Sequence, residues 1–152
     1  MKTNFLRRRA IVLYIFILAL CVSNASAFGP RPLPNPVLVF NGQELFSREG
    51  KQFIRYNYFV FNTEDFPSEL FAPSPELPPC GTNKNASRTW IDMYEQNGKR
   101  LYGFCALGKP QDLNGIFFIL EANVIPPSWI YIEMDDRKTN TKYKSNLAET
   151  TL

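Results

Sequence analysis

RTWIDMYEQNGKRLYGFC, residues 88–105, is the stretch on which the fold turns. Thr89, Ile91 and Met93 alternate with Trp90, Asp92 and Tyr94, the period of two that sends successive side chains to opposite faces of a strand. Asn97-Gly98 follows. This pair is favoured in a two-residue type I′ turn, where both central residues need positive φ. Arg100 to Leu107 reads as the return strand and carries Cys105. The spacing predicts an antiparallel hairpin that is scaffold, with Cys105 anchoring a neighbouring loop.

The same alternation recurs on both sides of this hairpin. QFIRYNYFVFN, 52–62, is rich in aromatic and β-branched residues. Ile54, Tyr56, Tyr58 and Val60 fall on one face and Phe53, Arg55, Asn57, Phe59 and Phe61 on the other, so both faces are apolar and a central strand is expected. VLVF, 37–40, is a shorter strand stopped by a turn signal at Asn41-Gly42. IFFIL, 116–120, and WIYIEM, 129–134, are two more, the latter with Ile130, Ile132 and Met134 inward. DDRKTNT, 135–141, reads as a polar turn from which Lys142 to Asn146 pairs back. No segment shows a 3.6-residue apolar period. Short strands separated by turn signals predict an all-β fold, an antiparallel β-sandwich over 37–147, with a frayed tail at 148–152. Residues 28–36, FGPRPLPNP, hold four prolines and read as a stiff proline-rich arm. Residues 63–87 hold five more and read as irregular loop, and its 67–83 portion is the best candidate for a binding element.

The first residues change what the totals mean. MKTNFLRRR is basic, AIVLYIFILALCV is apolar, and Ala25-Ser26-Ala27 offers small residues for cleavage, so 1–27 reads as a secretory signal peptide. Its apolar run is short for a membrane span, and no stable span is expected after cleavage. Cleavage removes four of the 17 Lys and Arg and none of the 14 Asp and Glu, so the net charge of +3 becomes about −1. That leaves no argument for a nucleic-acid partner, which needs a clustered cationic face. The expected location is secreted or periplasmic. Of three cysteines, Cys80 and Cys105 remain. An even pair in an oxidising compartment most simply forms one disulfide. Closing a loop of 25 residues stabilises by roughly 3–4 kcal/mol on the chain-entropy account.

WIYIEMDDRKTNTKYKSN, 129–146, resembles the last hairpin of fibronectin type III and related immunoglobulin-like modules, down to its Tyr143-x-Ser145-Asn146 ending. The stretch from Tyr56 to Leu107 is similar to segments of small exported bacterial proteins of undefined function that carry such a module. The resemblance covers about 37–147 and implies fold and export, not activity. Cys80 and Cys105 depart from the antibody pattern, being too close to form the inter-sheet bridge.

The chain has no histidine, which removes the usual general base and the commonest transition-metal ligand. Ser-His-Asp and Cys-His catalysis are impossible within it. No cofactor-binding motif is present. The expectation is therefore a non-enzymatic binding or structural module for an extracellular or periplasmic protein or glycan. The alternative is a protease-inhibitor-like or carbohydrate-binding protein. It would use loop 67–83, with Pro78 and Pro79, or an aromatic surface of Trp90, Tyr94 and Tyr102, joined by Trp129 and Tyr131. Burial tendencies for large aromatics instead put Trp90 or Trp129 in the core. Glu133, Asp135 and Asp136 offer carboxylates for acid–base work or calcium, although solvated surface is the commoner role of such a cluster. Asn85-Ala86-Ser87 fits an N-glycosylation acceptor.

Overall fold

Eight strands, all paired antiparallel, form two sheets in the computed structural model, which describes residues 32–79, 86–106 and 108–150. They are β1 (Leu38–Arg48), β2 (Lys51–Val60), β3 (Thr89–Glu95), β4 (Arg100–Ala106), β5 (Ile116–Glu121), β6 (Trp129–Asp136), β7 (Thr141–Lys144) and β8 (Ala148–Glu149). One sheet runs β1-β2-β5 and the other β4-β3-β6-β7, with β8 beside β7 on the same edge of β6. The described residues from Leu33 onward cluster as one unit.

Alternation does what the sequence promises on the long strands. Tyr56, Tyr58 and Val60 of β2, Ile91 and Met93 of β3, and Ile130, Ile132 and Met134 of β6 are all buried in one apolar cluster with Ile116 and Phe118 of β5. Both sheets feed that cluster, so the fold is a two-layered all-β arrangement. β2 is central in its sheet, as two apolar faces predict.

Three turns differ from expectation. Asn41-Gly42 does not end a strand. Gly42, at φ +92°, opens a bulge between Phe40 and Gln43, and β1 continues to Arg48. The true reversal is Glu49-Gly50, at φ 53° and 76°, a two-residue turn with both centres left-handed. At Asn97-Gly98 only Gly98 has positive φ, at 87°. Its N–H donates to the Glu95 carbonyl at 2.9 Å, and the Glu95 N–H donates to the Lys99 carbonyl at 2.9 Å. The hairpin therefore closes through three residues, a type I turn followed by a glycine bulge, rather than a type I′ turn.

The chain ends are also more tightly built than composition suggests. Leu33 packs on the core and Pro36 is buried, so the end of the proline-rich arm belongs to the domain; 28–31 lie outside the described residues. The tail expected to fray instead forms β8, with Ala148 and Thr150 buried and the Thr150 N–H donating to the Ser128 carbonyl at 3.1 Å. Between β7 and β8 the Ser145 hydroxyl accepts from the Ile132 N–H at 2.9 Å and so bridges the break along β6. Asn146 reaches β1, accepting from the Leu38 N–H at 2.8 Å and donating to the Leu38 carbonyl at 3.0 Å.

Candidate functional site

The residues singled out by sequence do not converge. Trp90 and Tyr94 stand on the outer face of the β4-β3-β6-β7 sheet, beside Asp92, Tyr131, Glu133 and Asp135. Tyr102 pairs with Met93 and so belongs to the inner side of the edge strand β4. Pro78 and Pro79 are exposed in the 66–79 segment, where Arg137 holds the Pro78 carbonyl. Neither tryptophan is in the core cluster; both are half-buried, and the alternation of β3 decides the side on which Trp90 lies.

The outer face is a closed network. Arg100 donates to Asp92 at 2.6 Å and lies 5.8 Å from the Trp90 ring centre. Gly103 makes room for this: a Cβ there would collide with the Arg100 guanidinium and the Asp92 carboxylate. Tyr94 stacks on Tyr131 at 5.2 Å, and the Lys144 ammonium sits 3.9 Å over the Tyr131 ring. Lys142 pairs with Glu133 at 3.4 Å, and that partner raises the lysine pKa. The aromatic faces are thus taken by cations and by each other. Asp135 Oδ1 is buried there without a hydrogen bond.

The acidic run is divided by the strand's own periodicity. Glu133 and Asp135 face outward, whereas Asp136 turns to the other side and is buried. The Arg88 fork donates to both Asp136 oxygens, at 2.8 and 2.6 Å, and the Thr139 hydroxyl and Lys138 N–H add bonds at 2.8 and 3.1 Å. Burial alone would raise the Asp136 pKa. These donors outweigh it and hold the carboxyl at about 2. Asp136 is therefore the keystone of the β6–β7 turn rather than a member of a carboxylate pair. Among the described residues, no group of three or more His, Cys, Asp or Glu is placed to hold a metal.

The segment expected to be an irregular, anchored loop sends several side chains into the core while most of its other residues stay exposed. It contains 3₁₀ turns at Thr63–Asp65 and Ser68–Phe71 and buries Phe66, Leu70 and Phe71. The Thr89 hydroxyl donates to the Leu70 carbonyl at 2.6 Å, and Pro73 bridges to Ser87. Arg137 ties the exposed end down by donating to the Ser87 and Pro78 carbonyls, both at 2.9 Å. Cys105 is half-buried on β4; Cys80 lies outside the described residues, as does Asn85. Ser87 of the acceptor triplet is fully buried, its hydroxyl bonded to the Ala106 and Thr89 carbonyls.

Two exposed apolar features were not singled out by the sequence. One is a groove of about 240 Å³ where the edge strands β4 and β5 meet, lined by Leu101, Tyr102, Phe117, Phe118 and Ile119. The other is the β5–β6 loop, 122–128. Its Ile125 is 91% exposed and its Val124 45% exposed, while Pro126 and Pro127 behind them are half-buried. Both ends are fixed. The Ala122 N–H donates to the Gln52 carbonyl and the Val124 N–H to the Glu121 carbonyl, each at 2.9 Å; the Trp129 carbonyl accepts from the Gln96 N–H at 3.1 Å. The one signal available in the sequence was Pro126-Pro127, which reads first as a chain breaker.

Among the described residues no helix is long and apolar enough to cross a membrane. Compared with family models, curated proteins and solved structures, the chain matches none.

Proposed function

We propose that the protein is a secreted or periplasmic, non-catalytic β-sandwich module that binds a protein partner through the β5–β6 loop. The observation that carries this reading is Ile125, presented at 91% exposure at the apex of a loop braced at both ends. A rigid loop loses little entropy on binding, and an exposed aliphatic side chain gains apolar burial when a partner covers it. The fibronectin type III or immunoglobulin-like assignment is supported by strand order. Numbered along the chain, 1-2-5 and 4-3-6-7 differ from the constant immunoglobulin arrangement in that strand four lies beside strand three. Export is supported by the pattern of residues 1–27, and a Cys80–Cys105 bridge by the even cysteine pair that cleavage would leave in an oxidising compartment. The closed aromatic face, and the anchoring of the 66–79 segment through Phe66, Leu70, Phe71 and the Pro78 carbonyl, favour the β5–β6 loop.

The test is site-specific photo-crosslinking in the compartment that receives the protein. A photo-reactive residue replaces Ile125 in one variant and Asn140, in the β6–β7 turn, in another. The expected result is an adduct from position 125 alone. Its protein component, once purified, binds the intact module and binds Ile125→Asp at least about tenfold more weakly. Equal adduct yields from the two positions, or equal binding of both proteins, would refute the reading.

A further inference from the structure

We infer that the partner is an endoprotease with an aliphatic specificity pocket, and that the β5–β6 loop is offered to it as a substrate that resists cutting; this rests on the loop being the binding element. An endoprotease cleft receives an extended chain and swallows one side chain. A loop serves that cleft only if it is convex, extended at the inserted residue and unable to fold back. Asn123 to Pro127 meets those conditions. Pro126 disfavours the helical region for Ile125 and favours extended backbone there. Pro126 and Pro127 fix their own φ, and the half-buried pair prevents the apex from collapsing. The turn bond from Val124 to Glu121 supports the apex from the other side. Ile125 is left as the outermost side chain, β-branched and aliphatic, which defines the pocket it fits.

The bond that would face the protease nucleophile is Ile125–Pro126. Its nitrogen carries no hydrogen, and the pyrrolidine ring crowds the position from which a leaving amine must be protonated. Binding and cleavage are therefore separated by the sequence itself: the side chain before the bond favours insertion, and the residue after it opposes departure. A chain cut there would also keep its ends together, because β5 remains paired to β2 and β6 to β3 in different sheets of one core. No covalent product is needed for occupancy.

The experiment uses the intact protein purified after export. Competitive inhibition is measured against an elastase-type serine protease, which takes aliphatic side chains, and a trypsin-type one, which takes basic side chains. Wild type should inhibit the elastase-type enzyme in the micromolar range or tighter and should remain uncut by intact mass. Ile125→Asp should weaken inhibition by about 100-fold, combining the lost aliphatic burial with a charge carried into an apolar pocket. Ile125→Lys should transfer inhibition to the trypsin-type enzyme, a gain that a misfolded loop cannot produce. Pro126→Ala should turn the loop into a substrate cut after residue 125. Wild type that leaves the elastase-type enzyme uninhibited overturns the inference, and so does Ile125→Asp of unchanged potency. If the crosslinked partner proves not to be a protease while the enzymes stay uninhibited, this inference fails and the binding reading stands; if position 125 also yields no specific adduct, both fail.

Discussion

Replacing Asp136 by asparagine keeps the shape of the side chain and removes its charge, which isolates what the Arg88 pair contributes. Asp136 is held at about 2, against an ordinary 3.8. A depressed carboxylate pKa stabilises the fold fully above the unfolded value and loses that contribution as pH falls through the folded one. The shift corresponds to about 2 kcal/mol. The group is 2% exposed, so solvent screening takes little from that figure. Denaturant unfolding of wild type and Asp136→Asn at pH 6 should therefore show a gap of which about 2 kcal/mol depends on pH, or roughly 8 °C in Tm for a domain of this size. Between pH 4 and pH 2 the gap should narrow by that amount, because protonated Asp136 and asparagine are nearly equivalent. A gap that stays constant over this range would refute the assignment of the stabilisation to the charged pair. Arg88→Ala supplies the complementary sign: the buried carboxylate loses its fork, the cost at pH 6 is about 3–5 kcal/mol, and part of it is recovered on acidification.

Tyr58 should produce the opposite pH signature. Burial pushes its hydroxyl up to about 12, outweighing the opposing effect of the neighbouring Thr150 hydroxyl. A raised tyrosine pKa gives stability that is complete below pH 10 and lost as pH climbs towards 12, so Tyr58→Phe should flatten the alkaline limb of the unfolding profile and cost at most about 1 kcal/mol at pH 7. Glu49 occupies a left-handed turn position at φ 53°, and Glu49→Asn should raise stability by about 0.5–1 kcal/mol in the same assay. Thiols of the exported protein should alkylate only after reduction, and Cys105→Ser should lower stability by about 3 kcal/mol; alkylation without reductant would contradict the proposed bridge.

Period-two alternation was the strongest signal because it reports a face and is indifferent to loops. It placed Ile130, Ile132 and Met134 in the core correctly and put Ile91 and Met93 on one face together, the face that proves to be the buried one. Glycine was ambiguous, since the same positive φ serves a bulge at Gly42, a two-residue reversal at Gly50 and a three-residue hairpin at Gly98. Proline was misleading in the 66–79 segment. It excludes regular helix and sheet but not burial, and Phe66, Leu70 and Phe71 reach the core between prolines on short 3₁₀ turns. Trp90 was pulled towards the core by its size, while the register of β3 sent it outward under Arg100. Ile125 was invisible because the sequence pattern around it carries no period; only the bracing of its loop by Gln52 and Gln96 makes its exposure meaningful.

The pairing of Asn146 with Leu38 fixes an order of events in time. Both backbone groups of Leu38 wait for a side chain 108 residues further along. At about 5–20 residues per second of synthesis, that partner appears roughly 5–20 s after the strand it secures. During that interval the β1–β2 hairpin can form from neighbouring residues, and β3 can meet β4, but the apolar faces they share have no third party to close over them. The layer is secured only when the last turn, with Asn146 in it, has been made.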